Sequence, residues 1–434
     1  MSLVLPSLPH NLPSGTSVAS SLTVSRASHA REQWTGRLDY LLSCLGFAVG
    51  LGNVWRFPYM AFSNGGGAFF IPYFTMLIFT AMPVFVLESM VGQFSSLGAT
   101  TCWEFCPFFR GCGVSMMFIS GMTCIYYNMI LAWAVYYIYA SVAVEVPWFH
   151  CGNWSTAYCI ENIKTVSIAE CRYHNGTPAS NGVCEQNVFD QVVLWDSRLA
   201  KISGVPIAFP AAEYFEREVL GCGRGYSMAN MGSIKPHLLV SLILAWVLVF
   251  LCLYRGITIS GKIVYVTALL PYGFLMVLFF RGVTLDGALE GIKYYIIPEL
   301  DKTLSTTIWK NAGSQIFFSL SCAFGGLVTL SSYNKFHHDL LRDSLVVCLG
   351  NSLTSIFAGF VIFSFIGFLS KSTNIPISEV AAAGPTLAFI IYPFCLTKLP
   401  WTSLFSVFFF IMIILLGIDS QFVLVETVIT GVLD

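Results

Sequence analysis

Charge is what this chain has least of. Asp, Glu, Lys and Arg together make up 10% of its 434 residues, against about 25% in soluble domains. With 56% hydrophobic and 15% aromatic residues, it has too little polar surface to face water on all sides and must live mainly in lipid. A net charge of −1 points to neither an acidic nor a basic partner. No Cys and His spacing resembles a zinc site, although 14 cysteines are present. Most lie in or beside apolar runs, where a small buried hydrophobe is the simpler reading of a thiol. There is no nucleophile set, metal cluster or phosphate-binding loop, so an enzyme is not expected. The first 30 residues, rich in Ser and Pro, lack the basic flank, compact apolar core and cleavage site of a signal peptide. Residues 1–30 are expected to be a disordered cytoplasmic tail.

What is present is a series of nearly uncharged runs near 40–61, 68–95, 111–144, 238–254, 263–280, 311–334, 344–370 and 400–432. Each meets or approaches the ~20 residues that a helix needs to cross a bilayer. They predict eight spans in one membrane domain over 31–434. The largest hydrophilic segment, 148–236, carries two glycosylation sequons at Asn153 and Asn175 and five cysteines, so it belongs on the oxidising exterior. Arg26, Arg31 and Arg37 before the first run agree with a cytoplasmic N-terminus. The stretch 372–398 contains Pro376, Pro385 and Pro393 and predicts an irregular outer loop with short helical pieces.

Two of the runs are interrupted. The first holds Gly46, Gly50, Gly52, Asn53 and Arg56; the sixth holds Ser319, Ser321, Gly325 and Gly326. Glycine costs a helix interior about 1 kcal/mol relative to alanine, and Arg at membrane depth about 2.5 kcal/mol or more. Such segments persist only where they face protein, water or ligand. Broken helices expose carbonyls that coordinate a cation and amides that hold a carboxylate. Asp419, inside the last run, is likewise expensive unless a cation or a donor compensates it.

The first-run motif with Asn64-Gly65-Gly66-Gly67-Ala68-Phe69, Pro72-Tyr73, Ser331 to Phe336 and Phe357 to Ser364 resembles the neurotransmitter:sodium symporters. These are sodium- and chloride-dependent transporters, and the chain looks most like the glycine, proline and neutral amino acid branch. The resemblance implies an all-α multi-spanning fold like that of the bacterial leucine transporter, an inverted repeat with broken first and sixth helices. It also implies that only eight of the family's usual twelve helices are present.

Carried over residue by residue, the resemblance implies a first sodium site at Ala48, Asn53, Ser319 and Asn351, and a second at Gly46, Val49, Leu416, Asp419 and Ser420. It places chloride at Tyr73, Gln315, Ser319, Asn351 and Ser355. The substrate would meet Gly50, Leu51, Gly52, Thr123, Tyr127, Phe318, Ser319, Ser321, Cys322 and Phe324. Gly50 stands where the monoamine branch has an aspartate, leaving room for a substrate carboxylate. Tyr127 and Phe318 would form the outer hydrophobic gate, with Arg56 above it; Arg31 and Trp34 would gate the inner side with Asp434. Cys151 and Cys159 resemble the family's outer-loop disulfide. Glu88 and Glu426 read as structural hydrogen-bonding groups, and His337 and His338 as solvated loop residues.

The function expected is sodium- and chloride-coupled symport of a small neutral amino acid by alternating access, in the plasma membrane. The partners are that substrate, the two ions and the bilayer, with no nucleic acid and no organic cofactor. The rival expectation is a truncated, non-transporting fragment that associates with full-length homologues.

Overall fold

Lipid leaves a spanning backbone no partner but itself, so long apolar runs fold as helices. The structure is a computed structural model that describes residues 32–156, 159, 177–178, 183–185, 193–194, 209–222, 232–373, 376–377 and 387–434. The tail 1–30, Arg31 and Asn175 lie outside the described residues.

In chain order the principal helices are α1 (Arg37–Ala48), α2 (Gly52–Ser63), α3 (Gly66–Ser95), α4 (Pro107–Ser141) and α5 (Pro236–Leu253). They continue with α6 (Ile257–Val283), α7 (Ala288–Ile296), α8 (Thr306–Ser319), α9 (Gly326–Ser332), α10 (Leu340–Thr373), α11 (Leu387–Thr397) and α12 (Thr402–Leu433). Among the described residues, six helices (α3, α4, α5, α6, α10 and α12) are long and apolar enough to cross a membrane, and α1 with α2 forms a further span bent by 46°. The expected sixth span does not run as one helix. α8 has 14 residues and α9 has 7, each short of the ~20 that a crossing needs. By length and composition six helices and one bent pair can cross, and α8 with α9 lies where the interrupted sixth run was expected.

The large loop departs from the all-helical expectation. Thr177–Pro178 (β1), Val183–Glu185 (β2) and Val193–Leu194 (β3) form an antiparallel sheet in the order β1-β2-β3, with Thr177 opposite Glu185 and Val183 opposite Leu194. Pro178 lacks an N–H and sits on an edge strand, where none is required. α11 is the short helical piece expected within 372–398.

α12 packs against α4, α6, α1 and α9, and its buried face includes Phe409, Phe410, Ile413, Leu416 and Asp419. Close approach elsewhere depends on glycine. A Cβ at Gly92 of α3 would stand 2.2 Å from the Val328 carbonyl oxygen of α9. One at Gly291 of α7 would stand 1.9 Å from that of Phe363 in α10. Real Cβ atoms do not approach a backbone oxygen so closely, so these two contacts admit only glycine.

Candidate substrate and ion site

Both interruptions are built by specific bonds. α1 ends where Val49 leaves helical geometry (φ −87°, ψ 87°), and the chain resumes as a wide π-type turn over Gly52–Arg56. Asn53 closes this gap: its Oδ1 accepts from Gly50 N at 3.1 Å, and its own N donates to Gly50 O at 3.1 Å. Between α8 and α9 the backbone enters the left-handed region at Ser321 (φ 52°), Ala323 (φ 67°) and Gly325 (φ 81°). Strain at two non-glycine residues persists only where the surroundings hold it. Here buried Glu88 accepts from Ala323 N at 2.7 Å, and Ser120 Oγ donates to Phe324 O at 2.5 Å. Glu88 thus has the structural hydrogen bond that its position suggested.

The two gaps share one cavity of about 40 Å³. Gly50, Leu51, Gly52, Thr123, Tyr127, Phe318, Ser319, Ser321 and Phe324 line it, together with Ala48 and Asn53. Cys322 does not. Its Sγ lies 3.9 Å from Ala81 O of α3. Cys322 is buried between the cavity-lining Ser321 and α3. Phe47, Ser420 and Leu424 also line the cavity. The first and last were not expected there, although Leu424 lies four residues after Ser420 on the same face of α12. A Cβ at Gly50 would meet Ser420 Oγ at 2.8 Å and Tyr127 Oη at 3.2 Å.

Uncharged oxygens gather at the first candidate sodium site. Asn53 Nδ2 donates to Asn351 Oδ1 at 2.7 Å and to Ser355 Oγ at 2.8 Å, and Asn351 Nδ2 donates to Ser319 Oγ at 2.9 Å. Amides and hydroxyls of this kind are hard donors that bind a cation without burying fixed charge. At the second candidate site Asp419 is 1% exposed, and its Oδ1 has no hydrogen-bond partner among the described residues. A Cβ at Gly46 would stand 2.6 Å from Asp419 Oδ2. Ser420 Oγ donates to Phe47 O at 3.3 Å, and Leu416 O lies beside Gly50. Val49, 4% exposed, is in the same gap. A buried carboxylate oxygen without a donor fits a cation, which would offset its desolvation.

The candidate chloride residues adjoin the first sodium cluster. Gln315 is fully buried, and neither its Nε2 nor its Oε1 has a partner among the described residues. Tyr73 Oη bonds Ser352 Oγ at 3.2 Å, so Ser352, one residue along α10 from the expected Asn351, joins this group. Ser319, Asn351 and Ser355 belong to the hydrogen-bonded cluster around Asn53. The set comprises hydroxyls and amides without a carboxylate, and the orphaned Gln315 amide fits an anion.

A family model described as the sodium:neurotransmitter symporter family matches residues 31–434. The chain belongs to that family. It is 43% identical over 418 residues to sodium- and chloride-dependent glycine transporter 1 of Xenopus laevis, covering 96% of this chain and 63% of the relative. Glycine transporter 2 of Xenopus laevis is 44% identical over 412 residues, covering 93% and 51%. Sodium- and chloride-dependent GABA transporter 2 of Bos taurus is 42% identical over 406 residues, covering 93% and 62%. The chain thus spans between half and two thirds of the length of these relatives.

In this symporter family member, Arg56 lies with its guanidinium 4.3 Å from the centre of the Phe318 ring and donates to Ser314 Oγ at 3.3 Å. Arg56 and Phe318 thus meet over the cavity that Tyr127 also walls. At the other end, Trp34 is fastened to the segment after the second gap: Nε1 donates to Leu330 O at 3.0 Å, and its ring meets Tyr333 edge-on at 6.0 Å. Asp434 accepts from Gly98 N at 2.6 Å. Glu426 accepts from Tyr333 Oη at 2.7 Å, as a structural group. Cys151 and Cys159 are disulfide-bonded, and Asn153 between them is exposed.

His338 is a correction. It is not a solvated loop residue: its Nε2 lies 2.8 Å from Asp343 Oδ2, and Tyr40 covers its ring at 5.3 Å. Asp343, 2% exposed, also accepts from Arg37 Nη2 at 2.6 Å. A buried carboxylate has to recruit donors; here one is local, His338 five residues before it, and the other, Arg37, is 306 residues away. His337 is exposed.

Proposed function

We propose that this chain forms the ion- and substrate-binding part of a plasma-membrane symporter that couples inward sodium movement, with chloride, to uptake of a small zwitterionic amino acid. The observation that carries this reading is the buried carboxylate of Asp419, whose Oδ1 has no hydrogen-bond partner among the described residues and whose Oδ2 faces Gly46 of α1, beside one cavity shared by both broken spans. Ala48, Asn53, Ser319 and Asn351 would hold one sodium ion; Gly46, Val49, Leu416, Asp419 and Ser420 would hold the other. Chloride would meet Tyr73, Gln315, Ser319, Asn351 and Ser355. The substrate carboxylate would lie against the amides of Leu51 and Gly52 and the Tyr127 hydroxyl, at the start of a half-helix where anions are favoured. Its amine would face Phe318, Ser319 and Ser321.

Glycine is the substrate best supported. The relatives named for glycine and for GABA are almost equally similar, and the close approach of Ser420 Oγ and Tyr127 Oη to Gly50 favours the smaller molecule. Each charge moved through 100 mV is worth about 2.3 kcal/mol, so two sodium ions supply ample driving force. The gaps at 49–51 and 320–325 would be the hinges of alternating access. The disulfide and exposed Asn153 support an external loop after α4, and hence a cytoplasmic N-terminus. No observation favours an association-only role.

Radiolabelled glycine and 4-aminobutyrate uptake in cells expressing the chain tests the proposal. Glycine uptake is expected to vanish when choline replaces sodium, to fall when gluconate replaces chloride, and to be lost in Asn53→Ala at unchanged surface level. Uptake indifferent to sodium would overturn the coupling. A preference for 4-aminobutyrate would overturn the substrate assignment.

A further inference from the structure

Between α3 and α4 the chain reads Cys102-Trp-Glu-Phe-Cys106-Pro-Phe-Phe-Arg-Gly-Cys112, with three free thiols. Their surroundings differ sharply. Cys102 is buried and its Sγ donates to Ala99 O at 3.4 Å; burial pushes this thiol up to about 12, leaving it unreactive. Cys106 is partly exposed and Cys112 is exposed. Around them Phe105, Phe108 and Phe109 present 61%, 88% and 48% of their surface, and Arg110 between them is also exposed. Aromatic rings beside a cation at the first turn of a spanning helix are the signature of a membrane–water interface. Cys112 also lies seven and fourteen residues before exposed Ile119 and Tyr126, on the same outward side of α4 by helical period.

The side of the membrane follows from α4 itself. Its 35 residues rise about 50 Å, more than the ~30 Å hydrocarbon core, so its ends emerge on opposite faces. The Cys151–Cys159 disulfide follows the Ser141 end, which marks that face as oxidising. Cys106 and Cys112, at the Pro107 end, face the reducing compartment, where thiols persist.

We propose that Cys112, and to a lesser extent Cys106, is a site of reversible S-acylation by a long-chain fatty acid. The donor class is an acyl-coenzyme A thioester. The cysteine sulfur attacks the acyl carbonyl carbon; a new sulfur–carbon bond forms as the carbon–sulfur bond to coenzyme A breaks. The cysteine proton leaves with coenzyme A as its thiol, and nothing is oxidised or reduced. Juxtamembrane cysteines undergo this modification, and here the attached chain would enter the bilayer along the apolar side of α4 and fasten the α3–α4 turn to the inner leaflet.

The full chain, expressed in animal cells fed an alkynyl fatty acid, tests the site. Hydroxylamine-sensitive label should map to the peptide carrying Cys106 and Cys112, fall by more than half in Cys112→Ala, and vanish in the Cys106→Ala/Cys112→Ala double variant. Cys102 should carry none. Absence of label on the unaltered chain, or label confined to other cysteines, would overturn the proposal without relying on any variant folding. So would reaction of Cys112 with an impermeant maleimide on intact cells, since that places it on the wrong face.

Discussion

Asp419 and Gly46 form a pair in which each explains the other. A carboxylate 1% exposed with an unpartnered oxygen is costly in lipid unless a cation meets it, and glycine at 46 leaves the space beside it. Gly46→Ala would bring a methyl carbon 2.6 Å from Asp419 Oδ2, forcing the carboxylate to move. The sodium concentration for half-maximal uptake should then rise roughly tenfold, equivalent to about 1.4 kcal/mol. A sodium titration of uptake measures this, and an unchanged midpoint would remove Asp419 from the ion site. The other polar residues around the gaps were legible in the sequence, since glycines, asparagines and serines inside an apolar run have no other economical use. Their partners were not. Gln315 and Tyr73 show this: the family resemblance implies both for chloride, but only packing gives Tyr73 the Ser352 hydroxyl.

The elements most dependent on a single contact are the α8–α9 gap and the α3–α9 crossing. Glu88 supplies the acceptor that holds Ala323 N in its left-handed turn. Removing it leaves a buried donor unsatisfied, at about 1–3 kcal/mol. Glu88→Ala should lower the thermal midpoint of the detergent-solubilised protein, whereas Glu88→Gln, which keeps an oxygen acceptor, should retain most of it. Equal loss in both variants would mean that the charge, rather than the hydrogen bond, matters. At the crossing, Gly92→Ala places a Cβ 2.2 Å from the Val328 carbonyl. Backbone cannot rotate away as a side chain can, so overpacking of about 1–3 kcal/mol is expected, seen as a lower midpoint and reduced surface expression. Wild-type stability in this variant would show that the helices can separate freely there.

At the scale of the whole molecule, ion binding and folding are linked. On the proposed assignment, sodium is held by residues of α1, α2, α8, α10 and α12 and can bind only when those helices are assembled, so it should stabilise the fold by RT ln(1 + [Na⁺]/Kd), about 2.7 kcal/mol at a hundredfold excess over Kd. Thermal unfolding in sodium against choline at equal ionic strength measures this. The sodium-dependent rise in midpoint should be lost in the Asn53→Ala/Asp419→Ala double variant. A rise that persists there would place stabilising sodium elsewhere. The end of the bundle that carries Trp34 is also held by assembly, since Arg37 of α1 and His338, just before α10, both reach Asp343.

The sequence by itself determined that the chain lives in lipid, where its helices run, which two are broken and which polar residues stand at the breaks. These are consequences of transfer free energy and local backbone preference, both written in runs of neighbouring residues. Only the tertiary structure decided which long-range partners meet. It set Cys322 against α3, brought Phe47 and Leu424 to the cavity, placed His338 beside Tyr40, and gave the break in 311–334 its left-handed turn. Arg37 and Asp343 are 306 residues apart in the chain; no local rule pairs them. Their meeting is set by close packing of helices and by the requirement that each buried polar group find a partner.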